Sequence, residues 1–184
     1  MSQIEKLIQQ HCPDGVRSFK LSELGVLYGG LTGKSKEDFK DGNSRFVSYM
    51  NVYSNLATNV EPSDFVTIDN GERQLRLRYG DVLFTGSSET PDECGMSSVL
   101  TIEPPEPLYL NSFCMAFRLN DVKIYDPEFL KHLFRSSSMR EQISKTANGV
   151  TRFNVSKSRL IKIVIPCPPL EVQAKIAHIL DLFQ

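Results

Sequence analysis

The sequence predicts a single domain of the α/β (α+β) class, short strands mixed with a few helices. Three observations predict it. A chain of 184 residues is the length of one ordinary domain. Its apolar segments are mostly short, strand-sized and punctuated by Gly and Pro turns. Helical periodicity is confined to a few places, above all the first ten and last fifteen or so residues.

Taken in order, Ile4, Leu7 and Ile8 make a short amphipathic helix, stopped by Cys12-Pro13-Asp14-Gly15. Phe19, Leu21, Leu24 and Val26 lead into the loop Gly29-Gly30-Leu31-Thr32-Gly33. Lys34 to Arg45 is polar, Phe46 to Met50 reads as a strand, and Asn51 to Asn59 as loop. Residues 73–79 alternate only roughly. Val82-Leu83-Phe84 is a short buried strand after the Gly80-Asp81 turn, and Val99 to Ile102 is strand-like. Pro104, Pro105 and Pro107 form a stiff connector, because proline cannot join a central ladder. Leu108 to Leu119 is a long strand candidate.

Asp126-Pro127 opens a helix with an N-cap and a first-turn proline, and Phe129, Leu130, Leu133 and Phe134 give its apolar face. Ser138 to Glu141 fits a capping box for a second helix, through about Lys145. Ile161, Ile163 and Ile165 alternate as a strand. Val172, Ile176, Ile179, Leu180 and Phe183 mark a final helix that is still periodic at Gln184, with no cap. The expectation is therefore a piece of something longer.

Forty per cent of residues are apolar and 23% charged, with 21 basic and 22 acidic side chains. That composition is globular and excludes a histone-like polycation. The charge is nevertheless uneven. Tyr79 to Phe117 holds six acids (Asp81, Glu89, Asp92, Glu93, Glu103, Glu106) and no base. Lys145 to Lys162 holds five bases (Lys145, Arg152, Lys157, Arg159, Lys162) and no acid. Clustered bases beside loop residues are the footprint of a polyanion site; the plainer reading is a solvated basic face. The opening residues carry no signal-peptide core, and no apolar run is long enough to span a membrane, so a cytosolic protein is expected.

Catalytic motifs are absent or defective. Gly29 to Ser35 resembles the end of a phosphate-binding loop, but the spacing G-x-x-x-x-G-K-[ST] needs a glycine where Tyr28 stands. His11, His132 and His178 are far apart, and Cys12, Cys94, Cys114 and Cys167 form no C-x-x-C pair, so no zinc site or disulfide framework is read. No serine or cysteine sits in a nucleophile motif.

The most specific pattern comes last. Ala147-Asn148-Gly149-Val150-Thr151-Arg152-Phe153-Asn154 precedes the strand candidate Leu160 to Ile165. Pro168-Pro169-Leu170-Glu171-Val172-Gln173 then opens a helix ending Ile179-Leu180-Asp181. With Gly80-Asp81-Val82-Leu83-Phe84 and the opening Ile4 to Val16, this order of motifs resembles the specificity subunit of type I restriction–modification systems. The resemblance implies a DNA target-recognition domain over 1–167, built on a mixed, largely antiparallel curved sheet, and over 168–184 the start of a conserved connecting helix that projects from it, in an excised domain or a naturally short half-subunit. It implies a non-catalytic reader of one half of a bipartite duplex site, which positions methyltransferase and restriction subunits. S-adenosylmethionine, ATP and magnesium would belong to those partners, and this chain would need no cofactor.

Phosphates set position and bases set specificity, so such a reader needs cations beside short polar groups. Lys34, Lys36, Arg152, Lys157 and Arg159 are the phosphate candidates. Thr32, Ser35, Ser87, Asn148, Thr151 and Asn154 are the polar loop candidates. Arg152 suits a bidentate guanine contact, yet a motif shared by readers of different sequences favours a loop-fixing or backbone role for Thr151 and Arg152. The stretches 34–60 and 85–95 are then the better base-reading segments. Ile176, Ile179, Leu180 and Phe183 are the subunit-interface candidates, for the counterpart helix or a homodimer. Two alternatives stay open: an assembly module working through the last helix, and a nucleotide-binding enzyme using loop 29–35.

Overall fold

A computed structural model describes residues 2–183, so the outer bounds expected at 1 and 184 lie outside it. The chain runs α1 (Gln3–His11), β1 (Arg17–Lys20), α2 (Leu21–Leu24), β2 (Gly25–Gly29), β3 (Ser44–Val47), α3 (Tyr49–Ser54) and β4 (Phe65–Val66). It continues through β5 (Val82–Thr85), β6 (Ser87–Ser88), β7 (Ser97–Val99), β8 (Leu108–Leu110) and β9 (Cys114–Leu119). The last part is α4 (Pro127–Leu133), α5 (Ser137–Ser144), β10 (Ala147–Asn148), β11 (Phe153–Val155), α6 (Lys157–Leu160), β12 (Val164–Cys167) and α7 (Leu170–Asp181).

The mixed, largely antiparallel pairing is as expected, but it is divided among four small sheets. β2-β9-β5-β7 is the central one and is antiparallel throughout. β4-β3-β8 contains the parallel pair, β3 with β8. β10-β11-β6 and β1-β12 complete the set.

The central sheet is covered on both faces, which is why β5 reads as an unbroken apolar run. Alternate residues of a strand point to opposite faces. Val82 and Phe84 of β5 join Met115, Phe117 and Leu119 of β9 in the main core, under α4, α5 and α7. Leu83 joins Cys114 and Ala116 in a second core with Val47, Val52, Leu108 and Leu110. Phe84 meets Phe134 edge to face at 5.3 Å.

Asp81, read as a turn residue, accepts from the Arg78 amide at 2.9 Å and also pairs bidentately with Arg118, at 2.8 and 2.7 Å. A buried carboxylate persists only with such partners.

Several segments depart from expectation. The strand read at 46–50 ends at Val47, and Tyr49 begins a helix with Ser48 as its cap residue. The long strand at 108–119 is two strands in different sheets, broken by a turn at 111–113. Ser136, not Ser138, caps α5 by accepting from the Met139 amide, a register that buries both Met139 and Ile143. The strand expected from Ile161 begins at Val164, because Lys157–Leu160 close a helical turn.

The final helix does not project over its described length. Val172, Ile176 and Ala177 are buried in the main core, and Lys131 and His132 of α4 hold Asp181 at 2.9 and 2.7 Å. Ile176 is thus a core residue of this domain, not a subunit-interface residue. Ile179 and Leu180 are half-buried, and Phe183 is 82% exposed.

Candidate nucleic-acid interface

The segment rich in bases and free of acids folds into a ribbon against the start of the acidic one. In β10-β11-β6, Asn148 lies opposite Asn154, and Asn154 opposite Ser87. Directly opposed residues share a face of the sheet. Two amides and a hydroxyl, from segments far apart in the chain, therefore form one polar row. The amides are exposed and the hydroxyl end is covered.

The loop after β10 turns back sharply. Gly149 has φ +138°, and a side chain there would lie 2.0 Å from the Arg152 carbonyl oxygen. Only glycine fits. That bend returns Arg152 over the row, where its Nε and Nη2 donate to Ser87 Oγ at 3.3 and 3.0 Å. Arg152 is exposed, and among the described residues no carboxylate pairs with it. Its remaining donors and its full charge face solvent.

Arg152 and Thr151 border an open groove of about 860 Å³ with Tyr49, Met50, Tyr53, Ser87, Glu89 and Glu93. The Tyr49 hydroxyl donates to the Ser87 carbonyl at 2.8 Å, and the Tyr49 and Tyr53 rings stack at 6.1 Å. Tyr53 donates to Glu93 at 2.7 Å. That bond, with a second from Thr90, holds the Glu93 carboxyl below its usual range.

Two half-buried arginines fix this wall from behind. Arg135 donates to the carbonyls of Val52, Tyr53 and Ser97, and Arg140 to those of Gly95, Cys94 and Asp92. Burial lowers the pKa of both. Nothing local in the sequence marks these two, because their partners are distant main-chain carbonyls.

The other candidates divide. Lys157 and Arg159 are exposed on α6. The Lys157 ammonium lies beside Gly29, 3.9 Å from where a side chain there would begin, and so next to loop 29–33. Lys36 is exposed and lines a second concavity of about 760 Å³ with Lys34, Ser35, Lys40 and Phe65. Thr32 is exposed, and its main chain is clipped to Gln74 by two hydrogen bonds, at 3.1 and 2.8 Å. Ser35 spends its amide and hydroxyl on Asp38.

Lys34 is corrected. Its side chain is 7% exposed and its ammonium is bonded to Glu72, which raises its pKa. Its charge is spoken for within the fold. The same bond weakens the phosphate-loop alternative, as does the single four-residue 3₁₀ turn that follows, Lys36–Phe39. Burial pushes the Cys114 thiol to about 12 and raises that of Cys94, so neither is a ready nucleophile. Among the described residues no group of three or more His, Cys, Asp or Glu is placed to hold a metal, and no helix is long and apolar enough to cross a membrane.

The site thus combines an arginine that no carboxylate pairs among the described residues, flanking bases and two exposed amides, the composition of a surface suited to a polyanion. Residues 13–184 match the family model described as the type I restriction modification DNA specificity domain, and the chain belongs to that family. No curated protein matches it. Its fold is similar to those of several solved structures. The S subunit of the type I restriction-modification system from M. genitalium has a TM-score of 0.61 at 18% identity, over 91% of this chain and 38% of that one. The HsdS subunit from Thermoanaerobacter tengcongensis has 0.63 at 19%, over 97% and 41%. A chain from a study of complex assembly and conformational transition of the type I R-M system has 0.59 at 20%, over 98% and 44%. The chain thus spans well under half the length of the solved chains it resembles.

Proposed function

We propose that this domain reads one half of a bipartite duplex DNA site and performs no catalysis itself. It positions methyltransferase and restriction subunits, which carry the S-adenosylmethionine, ATP and magnesium chemistry. The observation that carries the reading is the row Asn148–Asn154–Ser87 with Arg152 folded over it, in a chain of the DNA-specificity family.

Exposed amides suit bidentate contact with an adenine edge in the major groove. Arg152, Lys157, Arg159 and Lys36 supply phosphate contact, and Thr151 and Thr32 edge the same approach. Residues up to 167 form the recognition domain, and α7 begins the connecting helix. Ile179, Leu180 and Phe183 are its outer contact face for a counterpart helix or a second copy.

Selection of duplexes from a randomised pool by the full chain tests this. The expected result is an enriched short motif whose affinity falls steeply with salt. Association with a methyltransferase subunit, without DNA binding at low salt, would replace this reading with the assembly-module one.

A further inference from the structure

The groove beside Arg152 carries a chemistry that phosphate and amide contacts leave unused. Phe113 is 62% exposed and Met50 59%, and both line that groove. Phe113 also lines the neighbouring concavity with Lys36 and Lys40, so it stands on the ridge between the two.

Scattered exposed apolar residues need no explanation; this one is set apart by its footing. In the turn that breaks the expected long strand, the Asn111 amide donates to the Val47 carbonyl at 2.9 Å, and Asn111 Oδ1 accepts from the Phe113 amide at 2.8 Å. The Gly86 amide, next to Ser87, donates to the Phe113 carbonyl at 2.7 Å. The turn is tied to β3 on one flank and to the start of the polar row on the other. An apolar ring is thus held out to solvent on a fixed backbone, at a set position relative to Arg152's anchor.

The major-groove edges of base pairs offer donors, acceptors and one kind of apolar group, the 5-methyl of a pyrimidine. Neither Phe113 nor Met50 has a donor with which to read the rest. We propose that Phe113 is a specificity-determining residue that packs on the 5-methyl group of a pyrimidine, with Met50 completing the apolar wall of the same groove. The inference rests on the DNA-reading function above.

The test uses the full chain and the duplex motif it enriches. Each thymine is replaced singly by deoxyuridine, which removes only the methyl, and each cytosine singly by 5-methylcytosine. At one position, wild-type affinity is expected to fall about fourfold on losing a thymine methyl, or to rise about fourfold on gaining a cytosine methyl, the worth of one methyl removed from water. Which of the two occurs identifies the source. Phe113→Ala is expected to abolish that difference and Phe113→Leu to keep it.

Equal affinity of the wild type for every substituted duplex overturns the proposal. So does a loss in Phe113→Ala that is the same with and without the methyl, which would mark a ring stacked on a base. Failure to enrich any motif overturns the DNA-reading function itself, and this inference with it.

Discussion

Arg152 and Ser87 lie 65 residues apart, and two nitrogens of the arginine converge on the one serine hydroxyl, at 3.3 and 3.0 Å. The contact joins the basic segment to the acidic one at the edge of the groove. It holds the guanidinium in place without neutralising it, because a hydroxyl carries no charge. A carboxylate at position 87 would have taken the charge that a phosphate needs.

Arg152→Ala is therefore expected to weaken DNA binding across sequences and to lower the salt slope by about one. Ser87→Ala is expected to weaken binding less, and the double variant to bind like Arg152→Ala alone, since the serine acts through the arginine. Fluorescence anisotropy across a salt series checks this. Additive losses would mean that Ser87 meets DNA on its own.

Asp81 and Arg118 form the bidentate pair at the back of the central sheet, with the carboxylate 1% exposed. Asp81→Ala strands the guanidinium and frees the Arg78 amide. A loss of about 3 kcal/mol in unfolding free energy is expected from denaturant titration. DNA affinity at a temperature where the variant is folded should be unchanged.

Hydrogen bonds from Gln74, Lys34 and the Asp69 amide hold the Glu72 carboxyl at about 2, against an ordinary 4.5. The folded value lies below the unfolded one, so the unfolded chain binds the extra proton between them. Stability from this group is complete above about pH 4.5 and is lost as pH falls toward 2. Following the Glu72 carboxyl by NMR checks the value. The main-chain clip of Thr32 to Gln74 should loosen in the same window, and a midpoint near 4.5 would contradict the bonding described.

Ile176→Ala is expected to destabilise the domain by about 2–5 kcal/mol, because Ile176 fills its core. Phe183→Ala should leave stability within about 0.5 kcal/mol. Thermal melts of the two variants separate the inner face of α7 from its outer one.

Much of the fold is legible in the sequence where a local rule dominates. Asp126-Pro127 starts α4 because the cap and the fixed proline φ act within one turn, and Asp126 does accept from the Glu128 amide. The periodicity from Val172 to Leu180 gives α7. What it cannot give is where α7 packs, since an apolar stripe suits either this core or another subunit.

The serines at 136–138 offer several caps, and the choice is made by burying Met139 and Ile143 together. The run 108–119 hides its break because its ends are strongly apolar; Asn111-Ser112 is the one local sign of a turn. With the break went Phe113. The polar row was half legible: Ser87, Asn148, Thr151, Arg152 and Asn154 stand out by residue type. Their alignment depends on strand register between distant segments, which no local pattern encodes. Lys34 failed as a candidate for the same reason, because Glu72 reaches it from 38 residues away.

The central claim is that the exposed amides of the β10-β11-β6 row, Asn148 and Asn154, read bases while the surrounding cations hold the backbone. Duplex selection repeated with Asn154→Ala and with Lys157→Ala tests it most directly. The account predicts that Asn154→Ala loses the preference at one base pair of the enriched motif and keeps the rest, and that Lys157→Ala enriches the wild-type motif with weaker, less salt-dependent binding. An unchanged motif with Asn154→Ala, or a motif altered by Lys157→Ala, would contradict it.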